Sequence, residues 1–196
     1  MVVILSLVGG YLFGSIPFAI IISRLRGVDI RKAGTGNPGA ANVLREVGKV
    51  WGIIVFLLDI AKGIIPMLIA DRMLNIPAYH LHHLFWVGLV GVSAVAGHCW
   101  SVFLDFKGGR GLATTGGVIL YLFPKFFLIG TAAYFITQRS PRNPIVVLPI
   151  FILVFGILIW IYRNSIPWLI PFLLIFLTVG LIANRQAIKE LKGGTH

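Results

Sequence analysis

Apolar runs of about twenty residues recur along this sequence, the length of helix that crosses the hydrocarbon core of a bilayer. In lipid every backbone N–H and C=O has to find its partner inside the protein, so such runs fold as a bundle of membrane helices. Composition agrees with that reading: 58% of the 196 residues are hydrophobic and 12% are charged, and mean hydropathy is +0.94. A soluble domain carries about 25% charged residues. A chain this long holds about six or seven spans with little left over, so residues 1–196 are expected to form a single polytopic membrane domain.

The formal net charge is +11. In a membrane protein an excess of Lys and Arg reflects orientation and contact with anionic lipid, so membrane lipid is an expected partner and nucleic acid is not. Cys99 is the single cysteine and so forms no intrachain disulfide and no structural zinc site of its own. The first apolar run is long and lacks both an early basic region and a small-residue cleavage pattern, which reads as a span rather than a cleaved signal.

In chain order, the first span covers about Val2 to Ser23 and is interrupted by Gly14, Ser15 and Pro17, where neighbouring segments must satisfy the freed backbone. The second, about Val50 to Ala70, carries Asp59 and Lys62 three residues apart on one helix face. They are read either as a mutually neutralising pair that fixes packing or as a pair whose Lys62 also turns toward a ligand cavity. The link Asp71 to His83 contains His80, His82 and His83 without an adjacent acid or cysteine, and is expected to be a solvated loop rather than a metal site.

The third span, near Leu84 to Leu104, is rich in Gly, Ala and Ser, as tightly packed membrane helices are, and delivers His98 close to its end. The run from Leu112 to Ile136 is too long for one snug crossing and has Pro124 and Lys125 at its middle. Breaking it there puts nearly all the basic loops on one side, which the positive-inside rule favours. Two further spans, about Ile145 to Tyr162 and Ile166 to Ala183, end in the aromatic residues Trp160, Tyr162 and Trp168. The expected fold is an all-α integral membrane bundle of about seven transmembrane segments, one pair short or re-entrant around Pro124, with the amino terminus outside.

Two polar stretches stand against this background on the expected cytoplasmic side. FKGGRGLATTGG (Phe106 to Gly117) combines Lys107 and Arg110 with Gly108, Gly109 and Gly111. Backbone amides freed by glycine beside cations suggest an anion, and phosphate is the usual one. GTGNPGAANVLR (Gly34 to Arg45) supplies Gly36 for unusual backbone angles, Thr35, Asn37 and Asn42 as neutral hydrogen-bonding groups, and Arg45 as a potentially bidentate cation. Basic loops greeting anionic headgroups are the plainer alternative, although headgroup attraction needs no such backbone freedom. The chain has no serine elbow, no HExxH, no clustered carboxylates and no histidine followed four residues later by an acid. A reaction here would therefore use an already activated substrate, with the protein positioning anions and stabilising charge.

GSIPFAIIISRLRGVDIRKAGTGNPGAANVLREVGK (Gly14 to Lys49), LDIAKG (Leu58 to Gly63) and GHCWSVFLDFKGGRGLATTGG (Gly97 to Gly117) closely resemble the bacterial acyl-phosphate:glycerol-3-phosphate acyltransferases, the PlsY family. The resemblance implies an enzyme of the bacterial cytoplasmic (inner) membrane that moves an acyl chain from acyl phosphate to glycerol 3-phosphate, giving lysophosphatidic acid with neither a metal, a cofactor nor acyl-CoA. It also admits an acyl-phosphate-producing enzyme as a partner. By matched position, Thr35, Gly36, Asn37, Asn42 and Arg45 fall in the family's first motif. Lys107, Gly108, Gly109, Arg110 and Thr114 fall in the second, and His98 also matches; Arg110 stands where lysine is common. Lys107, Arg110 and the glycine amides, Gly111 included, are expected to hold the acyl phosphate, and Arg45 with Asn37 and Asn42 to orient glycerol 3-phosphate. The third motif departs from the family: Asn184 stands where the histidine is usual and Ala187 where the asparagine is, and the loop before the sixth segment reads RSPRNP from Arg139 to Pro144. Two other readings fit the same loops: a divergent, weakly active paralogue with a changed acceptor, and a non-enzymatic transporter of anions or lipid phosphate.

Overall fold

The computed structural model of the protein describes residues 1–74, 81–125, 127, 128, 174, 175, 178 and 179, with 81 and 82 described by backbone alone. All of the regular structure among them is helical: α1 (Val2–Ser15), α2 (Phe18–Leu25), α3 (Ala40–Glu46), α4 (Lys49–Met73), α5 (Leu81–Cys99), a 3-10 turn at Val102–Leu104, and α6 (Leu112–Leu122). Three stretches, Val2–Leu25, Lys49–Met73 and His83–Leu104, are long and apolar enough to cross a membrane. Of the expected spans after residue 128, only Leu174, Ile175, Thr178 and Val179 are among the described residues, and these are helical.

Small residues decide how the helices meet. A β-carbon at Gly14 would collide with the backbone of Ala94, and one at Gly97 with the carbonyl of Tyr11, so α1 and α5 touch backbone to backbone. Gly63 on α4 and Gly117 on α6 do the same, against Thr114 and Ile60. Lipid offers no hydrophobic drive to pull helices together, so close van der Waals contact between small residues replaces it. Above these contacts a buried apolar core of Met67, Val87, Val90, Val95 and Val118 joins α4, α5 and α6. A second core of Ala19, Ile20, Ile30, Val43 and Val55 fastens α2, α3 and the intervening loop to α4. Leu5, Val8, Phe56 and Leu57 are exposed apolar residues, as lipid-facing positions of a bundle are.

The first span breaks where Gly14, Ser15 and Pro17 predict. α1 ends at Ser15 and α2 begins at Phe18, and the Ser15 carbonyl freed by the break accepts a hydrogen bond of 2.6 Å from Ser101 Oγ. Tyr11 Oη donates to the Trp100 carbonyl at 2.6 Å, so the end of α5 is pinned to the end of α1. α6 is equally short: it stops at Leu122, and Phe123 leaves the helix with φ −141° and ψ 65°. Proline clashes with a preceding helical residue, which is the reason for the interruption just before Pro124.

One expectation fails. The histidine-bearing link is not simply a solvated loop without an acid, because α4 extends to Met73 and α5 starts at Leu81. That places His83 in a helix, buried, with Nε2 2.6 Å from Asp71 Oδ1, while Tyr121 Oη donates to Asp71 Oδ2 at 2.9 Å. Antiparallel helices joined by a short link bring together an acid and a histidine that stand twelve positions apart. Asp71 thereby ties three helices at one end of the bundle. His80 lies outside the described residues.

Candidate active site

The two polar stretches meet at the other end. The break between α1 and α2, the last turn of α5 and the loop ahead of α6 enclose a recess of about 10 Å³, the room of roughly one water molecule. Pro38 of the first stretch and Gly109 of the second both line it, together with Ser15, Lys62, His98 and Ser101.

The second stretch reaches this place through a tight reversal. After the 3-10 turn, Asp105 and Phe106 both adopt left-handed backbone, φ 50° and 59°, a conformation that costs non-glycine residues about 1–3 kcal/mol and is tolerated only where the surroundings enforce it. Here the enforcement is a set of hydrogen bonds: Phe106 N–H to the Ser101 carbonyl, Lys107 N–H to Leu104, Gly108 N–H to Cys99 and Gly109 N–H to His98, all 2.9–3.0 Å. The turn leaves Lys107 and Arg110 exposed while Gly109 is buried. A β-carbon at Gly108 would strike the His98 carbonyl, and one at Gly109 the His98 ring. Gly111, left-handed at φ 76°, caps the amino end of α6. The first amides of that helix have no acceptor within it and carry the positive end of its dipole.

This geometry amends the expected phosphate cradle. The amides of Gly108 and Gly109 already donate to carbonyls of α5, so these glycines let the loop pack and do not offer N–H groups to a ligand. The exposed cations and the α6 terminus beyond Gly111 are what remains turned outward. Thr114 is also placed otherwise than expected: it is fully buried, with its carbonyl against Gly63 of α4.

In the first stretch, Arg45 stands exposed in the last turn of α3, and Thr35 is exposed ahead of it. Asn37 N–H donates to Thr35 Oγ1 at 3.4 Å, and Gly36 adopts φ 67° with its N–H on the Ala33 carbonyl. Asn42 differs from its expected role at the acceptor. It is 2% exposed; its amide donates to the carbonyls of Ile30 and Ala33 at 3.2 and 3.0 Å, and its Oδ1 accepts from Thr35 N–H at 3.1 Å. Asn42 braces the loop from within. Asn184 lies outside the described residues.

Asp59 and Lys62 form the pair their spacing predicts, 2.9 Å apart and almost wholly buried, and Lys62 also lines the recess. Both sequence readings of the pair therefore hold in part. Sequence reasoning did not single out Ser15 and Ser101 as lining residues. The signal for them was the break at Gly14 to Pro17, which needs an outside donor for its freed carbonyl.

The profile of the glycerol-3-phosphate acyltransferase family matches residues 4–194. This chain belongs to that family. Among curated glycerol-3-phosphate acyltransferases, that of Anaeromyxobacter dehalogenans (strain 2CP-1) is 46% identical over 139 residues, covering 70% of this chain and 68% of the relative. That of Geotalea daltonii is 36% identical over 210 residues, covering 98% and 95%. In structure, the chain is similar to the crystallised integral membrane glycerol 3-phosphate acyltransferase PlsY (YgiH). Its glycerol 3-phosphate form gives a TM-score of 0.80 at 31% identity, over 98% of this chain and 92% of that one. Its lysophosphatidic acid form gives 0.77 at 30% over the same shares. Like that relative, the protein is an integral membrane protein.

Proposed function

We propose that this protein transfers the acyl group of an acyl phosphate to glycerol 3-phosphate, yielding lysophosphatidic acid, at the cytoplasmic face of the bacterial inner membrane with its amino terminus outside. The observation that carries the reading is the meeting of two cationic glycine-rich stretches at one recess, through Pro38 and Gly109, in a chain of the acyltransferase family. The solved relative's glycerol 3-phosphate and lysophosphatidic acid forms supply the acceptor and product by likeness.

In the reaction a hydroxyl oxygen of glycerol 3-phosphate bonds to the acyl carbon, the bond from that carbon to the phosphate oxygen breaks, and the departing phosphate takes up the hydroxyl proton. Lys107, Arg110 and the amino end of α6 hold the donor phosphate and stabilise the charge that grows on it as it leaves. Arg45, whose planar guanidinium suits two phosphate oxygens at once, receives the acceptor phosphate with help from Thr35 and Asn37. The acyl chain lies between helices, and Asn184 is assigned to the catalytic set by its matched position in the sequence alone. The donor is already activated, so positioning and charge account for the chemistry. Asn184 and Ala187 favour one second reading, in which the donor is the same and the acceptor is another phosphorylated alcohol.

Arg45→Ala and Arg110→Ala are each expected to lower acyl transfer in a detergent assay by about 10²–10³-fold, with the purified variants unfolding at the wild-type temperature. Wild-type turnover in either variant removes that residue from the site.

A further inference from the structure

Beneath the loop lies a group of ionisable side chains that the proposed chemistry does not use. Lys62 is 2% exposed. Its Nζ lies 2.9 Å from Asp59 Oδ1, 3.4 Å from His98 Nδ1 and 5.0 Å from the centre of the Phe18 ring. Asp59 Oδ1 is itself 3.5 Å from His98 Nδ1. Taking two charges out of water offsets most of their attraction, and apolar side chains of the same volume hold helices together as well or better. Packing alone therefore does not account for the pair, whereas its neighbour does. His98 ends α5 but for one residue. One edge of its ring faces Lys62 and Asp59, the other abuts Gly109 so closely that a side chain there would have to displace the ring, and its carbonyl accepts the Gly109 N–H at 3.0 Å. The imidazole is wedged between a buried ion pair and the backbone of the turn that carries Lys107 and Arg110.

We infer that Lys62, held by Asp59, is a positioning residue of this site: it fixes the His98 ring, and the ring fixes the Lys107 to Arg110 turn. The kinetic consequence of this arrangement rests on the acyl-transfer reading; the structural consequence does not. Removing both charges together, by Asp59→Asn with Lys62→Met, leaves neither one buried alone. Hydrogen–deuterium exchange of the purified protein in detergent then follows the peptide that holds Gly108 and Gly109. Exchange there is expected to rise about tenfold or more over wild type, with α1 and α5 keeping their protection, since loss of a local restraint opens a local unit.

In an assay with acyl phosphate and glycerol 3-phosphate the same variant is expected to lose on the order of 100-fold in kcat/KM. A smaller folded fraction would lower only the apparent kcat, whereas a misplaced turn raises the KM for acyl phosphate. In a His98→Ala background the paired changes are expected to have no further effect, because residues that act through one another do not add. Wild-type exchange at Gly108 and Gly109, or an undiminished further loss in the His98→Ala background, overturns the inference. Should the paired variant not fold, His98→Gln, which keeps a polar group toward Gly109 and offers none toward Lys62, replaces it: raised exchange at Gly108 and Gly109 with a raised KM for acyl phosphate is expected, and wild-type exchange there overturns the inference. Absence of transfer by the wild type would sink the proposed function, and the exchange measurement would still decide the role of Lys62.

Discussion

Asn42 shows how far a residue's chemistry and its role can differ. Both amide hydrogens and the oxygen of its side chain are committed to Ile30, Ala33 and Thr35, so under the proposed function its part is to shape the loop that carries Thr35, Asn37 and Arg45. Asn42→Asp preserves volume and the acceptor but removes both donors and sets a carboxylate against two carbonyls. It is expected to lower thermal stability by about 1–3 kcal/mol and to raise the KM for glycerol 3-phosphate together with it. A raised KM with an unchanged unfolding temperature would mark Asn42 as a ligand contact instead. From the sequence Asn42 was recognisable as a hydrogen-bonding group in a glycine-rich loop. Its partners were not, because carbonyls nine and twelve residues upstream become neighbours only when the loop closes on α3. The same holds for Gly108 and Gly109: the sequence offered their amides to an anion, and in the folded chain those amides donate to the carbonyls of Cys99 and His98.

At the level of helices, the account turns on glycine contacts. α1 and α5 are held by Gly14 and Gly97 and then locked by the Tyr11 to Trp100 and Ser101 to Ser15 hydrogen bonds. A side chain at position 97 would push the helices apart and break both bonds, and with them the wall of the recess formed by Ser15 and Ser101. Gly97→Leu is therefore expected to destabilise the protein by about 1–3 kcal/mol or more, read as a lower unfolding temperature in detergent. Gly9→Leu, at a glycine with nothing within 4 Å, serves as the control and is expected to change it little. Equal effects of the two would contradict the packing account. The small-residue content of the third span was visible in the sequence as a sign of tight packing. Which glycines face a partner was not, since that depends on the rotation of each helix about its axis. The interruptions at Pro17 and before Pro124 were legible because proline acts on its own chain, without help from distant residues.

Across the molecule as a whole, the described residues form a membrane-embedded scaffold that gathers two cationic glycine-rich loops at one end and closes the other with the Asp71, His83 and Tyr121 contact. Its membrane nature and the pairing of the two loops were legible because bilayer thickness and the distribution of basic residues act on the chain as a whole. The Asp71 to His83 contact was not, because it depends on how far α4 and α5 extend toward each other. Asn184 and Ala187, outside the described residues, are where the sequence departs from the family's usual third motif. The central claim is that an activated acyl phosphate, with positioned cations and no further activation, suffices for acyl transfer. The direct measurement incubates the purified protein with labelled glycerol 3-phosphate and either acyl phosphate or acyl-CoA, and follows labelled lysophosphatidic acid. The account expects product with acyl phosphate and none above background with acyl-CoA. Transfer from acyl-CoA at an equal rate, or no product from acyl phosphate, would contradict it.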